Sequence, residues 1–155
     1  MSLGDSLVSP QPPDAAAGFR VIGAGLGRTG TTSLDAAMKT LGMTPYHMRD
    51  VMGTAGHLDR WIGYMDACKS NNAAAVLAAT DAVINALLRD CFTANSDYPA
   101  CLIYERLMER FPDALVLLGV RTSGKAWAES MMQTIGLAPE SMAGYPFASC
   151  PSCAR

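Results

Sequence analysis

The stretch GFRVIGAGLGRTGTTSLDAAMKTLG (residues 18–42) decides how this chain folds. Phe19 to Ala24 form an apolar run of the length of one buried strand. After it, Leu34, Ala37, Met38 and Leu41 recur at i, i+3, i+4 and i+7, the stripe of one helix face, and Gly42 supplies the stop. Between them lies a turn built on Gly25, Gly27 and Gly30. The first amides of a helix have no intrahelical partners and sit at the positive end of its dipole, so an anion held there satisfies both deficits. Such a turn can also be a bare connection. Three glycines followed by Thr-Thr-Ser at a helix start favour a phosphate cradle.

Two phosphate motifs overlap in this turn. Gly25, Gly30 and Thr32 fit G-x-x-x-x-G-K-[ST], but Thr31 stands where the lysine belongs and the nearest cation is Arg28. A magnesium-nucleotide hydrolase also needs an acid at the end of a second core strand. The best second strand, Ala114 to Val120, runs into Arg121 instead. Fixed cations thus replace metal-centred chemistry, and no metal is expected. Gly25, Gly27 and Gly30 equally fit G-x-G-x-x-G, which needs an acid after a second strand about 20 residues on. Asp50 has the spacing, yet TPYHMR (residues 44–49) is a poor strand, which disfavours a nicotinamide or flavin cofactor.

Three further blocks follow in order: YHMRDVM (46–52), NSDYPACLIYERLMERFPDALVLLGVR (95–121) and KAWAES (125–130). Together with the glycine turn they resemble the sulfotransferase-like family of P-loop proteins. The resemblance implies an α/β fold, a P-loop-type parallel sheet flanked by helices. It also implies 3′-phosphoadenosine 5′-phosphosulfate as donor, its 5′ end lying against Gly27, Arg28, Thr29, Gly30, Thr31, Thr32 and Ser33, with arginine in place of the commoner lysine. Arg121 and Ser130 match the family's contacts to the 3′-phosphate. An arginine leaving a strand reaches the carboxyl edge of the sheet, where open α/β folds bind ligands, and its fork suits phosphate.

Sulfuryl transfer needs an in-line acceptor, a base, and cations facing the leaving phosphate. Arg28 is the candidate for the last role. For the base, Asp97 lies near where many sulfotransferases place a histidine, and His47 in the YHM block is the alternative. An aspartate serves well only if burial raises its pKa.

Composition bounds the rest. A chain of 155 residues, half of them apolar, suits one packed domain. A net charge of −2 without a dense Lys/Arg run disfavours nucleic-acid partners. The longest apolar stretch, Ala73 to Leu88, contains Asp81 and Asn85 and is too short for a bilayer, so no transmembrane segment is expected. Residues 1–17, with Pro10, Pro12 and Pro13, read as a flexible leader lacking the charged start and apolar block of a secretory signal. An odd set of five cysteines fits a reducing, cytoplasmic setting, and Cys150 with Cys153 lacks the second ligand pair a zinc site needs. Trp61 and Trp127 read as core or interface residues on helix stripes.

The domain is expected over residues 18–136, followed by an irregular tail, 137–155. Strands are expected at 19–24 and 114–120, helices near 31–41, 57–69, 73–91, 100–110 and 125–136, and a loop at 95–99. Two clear strands and a third around Tyr46 make an incomplete sheet. Family members continue beyond the serine-bearing helix, so the expectation is a donor half with the acceptor half incomplete. Three function classes follow: a sulfotransferase with an unknown acceptor, a noncatalytic nucleotide-binding module, or a P-loop nucleotide kinase or hydrolase. Apolar faces of the 73–91 helix left bare would drive self-association.

Overall fold

Parallel neighbours cannot be joined by a tight hairpin, so each strand here is separated from the next by at least one helix. The computed structural model describes residues 18–135. The leader, the tail and the Cys150/Cys153 pair lie outside the described residues. In chain order the elements are β1 (Val21–Gly23), α1 (Thr31–Thr40), β2 (Pro45–Tyr46), α2 (Met48–Gly53), α3 (His57–Lys69), α4 (Ala73–Arg89) and β3 (Ala94–Asn95). A 3-10 turn (Ala100–Ile103), α5 (Tyr104–Arg110), β4 (Leu115–Leu117) and α6 (Gly124–Met132) complete them. The strands form one parallel sheet in the order β2-β3-β1-β4, flanked by helices, as the α/β reading expects.

β1 is an inner strand, and its alternating side chains serve two cores. Val21 joins Met38, Met43 and Ala94 under α1, while Ile22 joins the larger cluster of Tyr46, Trp61, Ile84, Leu87 and Leu107. α1 stops as its glycine signal implies. Gly42 turns left-handed at φ 72°, with the Met43 N–H bonding the Met38 carbonyl and the Gly42 N–H bonding that of Lys39. This double bond satisfies carbonyls the helix end would leave open.

The α3/α4 hairpin is tied to the sheet through a buried polar chain. The Trp61 indole N–H donates to the Tyr46 hydroxyl at 3.0 Å, that hydroxyl lies 3.0 Å from Nδ1 of His57, and Nε2 of His57 lies 2.7 Å from the Asp90 carboxylate. While accepting from the indole, the Tyr46 hydroxyl keeps a proton to donate to Nδ1, and the Nε2–H tautomer of His57 then donates to Asp90. Burial pushes the Tyr46 phenol up to about 12, which keeps it protonated as the chain requires. The bond from His57 holds the Asp90 carboxyl below its ordinary value.

Two expectations need correction. The segment read as a loop at 95–99 begins as a strand, because Ala94 and Asn95 pair with both β1 and β2. The strand expected over 114–120 is ordered only at Leu115–Leu117 and is no buried strand. It lies at the sheet edge, with Leu115 and Leu118 about two-thirds exposed. Bare apolar surface lies on β4 and α6 and also on α4, which buries Val83, Ile84, Ala86 and Leu87 against its neighbours but leaves Leu77 about half exposed.

Ile84 is fully buried, so Ile84→Ala is expected to cost about 2–5 kcal/mol in urea denaturation. Because the folded-state pKa of Asp90 is depressed, its stabilising contribution is present above the unfolded carboxylate value of about 3.9 and is lost as pH falls through the folded value. Asp90→Asn is accordingly expected to lower the urea midpoint at pH 7, with the difference from the parent chain starting to shrink near about pH 4 and vanishing only below the depressed folded-state value.

Candidate functional site

Gly23 ends β1 against β3 with no room for a side chain, since a Cβ there would meet the Asn95 carbonyl at 2.5 Å. The Asn95 side chain extends the ladder beyond its last backbone pair: its Nδ2 donates to the Gly23 carbonyl at 2.7 Å and its Oδ1 accepts the Gly23 N–H at 3.2 Å. Asn95 is wholly buried, so this amide pairing fixes the point from which the glycine turn departs. Sequence reading missed it, because a two-residue strand offers no period to detect.

The turn leaves the carboxyl end of β1 and enters α1 through Gly30, which is left-handed at φ 95°. Glycine adopts that conformation at little cost and brings no side chain to cap the helix, so the first amides stay free of a side-chain acceptor. Arg28 is also left-handed, at φ 68°, a conformation that costs a non-glycine residue about 1 kcal/mol or more. A cavity of about 250 Å³ opens at this helix start, lined by Gly25, Thr29, Gly30 and Thr31 on the turn side and by Ser96 and Gly119 opposite. Thr32 and Ser33 are exposed beside it.

A second polar centre lies beside the turn, outside the lining of that cavity. Arg28 donates from Nε to Ser130 Oγ at 3.2 Å, and Arg121 donates to the same oxygen at 3.1 Å. Arg121 also donates from its Nε to the Arg28 carbonyl at 2.6 Å. The structure thus unites Arg121 and Ser130, which resemblance pairs, and adds Arg28, which sequence reading assigned to the opposite end of the donor. None of these three lines the cavity. Two guanidinium groups beside one hydroxyl make a site for a dianion. Trp127, read from its helix stripe as core or interface, is half-buried, and its indole N–H bonds the Gly27 carbonyl at 2.9 Å.

His47 and Asp97, alternatives in the sequence, form one buried pair with Nε2 and Oδ2 3.2 Å apart. The contact is close but off the hydrogen-bonding axis, and Nε2 of His47 and Oδ1 of Asp97 are buried without a hydrogen-bond partner. His47 also caps α2: its Nδ1 accepts the Arg49 N–H at 3.4 Å and its own N–H donates to Asp50 at 2.8 Å. Asp97 faces the turn, because a Cβ on Gly27 would stand 3.1 Å from its Oδ1. Burial raises the Asp97 pKa, opposed chiefly by the charge of His47 and by the N–H groups of Tyr98 and Met48.

Asp97 also corrects the search for an acid after a core strand. The strand beside β1 that ends in an acid is β3, through Asn95-Ser96-Asp97, rather than β4. Among the described residues no group of three His, Cys, Asp or Glu side chains could hold a metal ion. None of the described helices is long and apolar enough to cross a membrane.

With the Asp97 pKa raised on folding, its carboxyl carbon in a carbon-13 NMR titration is expected to show a midpoint above about 3.9. His47→Gln removes the opposing charge and is expected to move that midpoint further up.

The described fold and turn agree with two comparisons. The family profile described as a sulfotransferase domain matches residues 20–154. Over 117 residues the chain is 36% identical to the Ava biosynthesis cluster protein M of Aspergillus versicolor, an alignment covering 76% of this chain and 43% of that protein. The chain therefore spans less than half the length of this relative. The parallel sheet, the glycine turn leaving β1 and the match along nearly the whole described chain lead to one conclusion: the chain belongs to the sulfotransferase domain family.

Proposed function

We propose that residues 18–135 form the donor-binding portion of a sulfotransferase that takes 3′-phosphoadenosine 5′-phosphosulfate and passes its sulfuryl group to a separate acceptor. The observation that carries this reading is the presence of two anion-receptive places at one turn, with no lining residue of the first belonging to the second. One is the cavity at the uncapped start of α1, and the other is the cluster of Arg28, Arg121 and Ser130. A nucleotide with phosphates at both its 3′ and 5′ positions uses both, whereas an ordinary triphosphate chain carries its charge at one end. The helix-start amides of Thr31, Thr32 and Ser33 take the 5′ end, and the arginines grip the 3′-phosphate in fork geometry.

The roles inside the reaction follow from chemistry at stated atoms. Asp97 stands against the turn with one buried oxygen unpartnered, and the burial that raises its pKa makes its carboxylate a stronger base; in this reading the His47/Asp97 pair takes the proton of an acceptor hydroxyl or amine. With its Nε on Ser130, Arg28 is assigned here to the 3′ end; to neutralise the leaving phosphate it must release that hydroxyl. No metal is required, since these cations are fixed by the protein.

A kinase or hydrolase reading gains one observation, Asp97 after the strand adjoining β1, and loses the lysine, replaced by Thr31. A noncatalytic nucleotide-binding module is the third reading, favoured by the bare β4 edge.

Ligand-induced stabilisation separates the three. Adenosine 3′,5′-bisphosphate is expected to raise the Tm, with ATP-magnesium and NAD giving little, and Arg28→Ala is expected to abolish the shift. A larger shift with ATP-magnesium sinks the donor assignment. Turnover of 3′-phosphoadenosine 5′-phosphosulfate separates an enzyme from a binding module.

A further inference from the structure

A loop that binds an anion through backbone must turn its amides inward, and each trans peptide then sends its carbonyl the opposite way. Those carbonyls need donors of their own, or the loop relaxes toward other conformations. Three successive carbonyls of this turn are each bonded by a side chain. Thr29 Oγ1 donates to the Leu26 carbonyl at 2.7 Å, the Trp127 indole N–H to that of Gly27 at 2.9 Å, and Arg121 Nε to that of Arg28 at 2.6 Å. The amides across those three peptide bonds, of Gly27, Arg28 and Thr29, therefore face away from these donors. The left-handed turn at Arg28 supplies the change of hand that lets neighbouring amides converge on one anion.

We propose that Trp127 is a positioning residue of the phosphate loop, acting with Thr29 and Arg121 to hold its carbonyls outward so that its amides stay available to the ligand. This rests on the reading of the turn as a donor cradle. The assignment explains an otherwise odd helix. α6 buries no residue, so Trp127 does not serve as a core side chain there. What α6 contributes is hydrogen bonds to the turn, from Trp127 to Gly27 and between Ser130 and Arg28. The indole N–H is the only polar atom of its side chain, and it meets a carbonyl 100 residues earlier in the chain.

The test is Trp127→Phe, which keeps an aromatic ring and removes the N–H. Calorimetric titration would use adenosine 3′,5′-bisphosphate and, separately, adenosine 5′-phosphosulfate, which lacks the 3′-phosphate. Affinity for both is expected to fall about tenfold, because a loop released from this donor no longer holds its amides toward the ligand, while the urea midpoint of the unliganded chain falls by less in free energy than the affinity does. Thr29→Val, which removes the neighbouring bond at nearly constant volume, is expected to act in the same direction. Unchanged affinity in Trp127→Phe overturns this inference and leaves the donor reading standing. A loss of unliganded stability equal to the loss of affinity also overturns it, by returning Trp127 to packing. A parent chain that binds neither nucleotide overturns both readings.

Discussion

The uncapped amino end of α1 is the constraint to which the rest of the site answers. Gly30 brings the chain into the helix with a left-handed backbone and no side chain, so the positive end of the dipole and its unpaired amides are left at the surface of the sheet's carboxyl edge. A helix start so exposed is stable enough in water and far better served by an anion. Two glycines upstream let the turn pack closely among its neighbours: Gly25 lies against the Gly119 carbonyl, and Gly27 against Asp97.

Holding such a turn requires support from elements distant in sequence. Asn95 braces the end of β1 from the neighbouring strand, Arg121 reaches back from the segment after β4, and Trp127 and Ser130 come from α6. The larger core lies on the other face of the sheet. There the α3/α4 hairpin and the chain from Trp61 through Tyr46 and His57 to Asp90 secure β2. The larger core thus carries the stability, while α6 contributes hydrogen bonds to the turn and the edge strand β4 keeps exposed apolar surface. A carboxylate beside an anion cradle is unfavourable unless neutralised, and Asp97 answers this by pairing with His47 and by its raised pKa.

The amino-acid sequence by itself determined the elements whose signals are local. The strand into glycine turn into helix, the Gly42 stop, the long helices at 57–69 and 73–91, and the α/β class are all carried by periodicity and by glycine's backbone freedom, which act over a few residues. The family was legible for the same reason, since its blocks are contiguous.

Only the tertiary structure decided the rest. β3 is two residues long and reads as a loop until β1 and β2 supply its hydrogen bonds. His47 and Asp97, separate candidates 50 positions apart, become one pair because β2 and β3 are adjacent in the sheet. Arg28 joins Arg121 and Ser130 rather than extending along the cavity, and Trp127 leaves the core to bond a loop carbonyl. Each of these depends on which strands lie side by side and where a side chain ends in space. Strand order and side-chain reach are set by long-range packing, which no local period encodes.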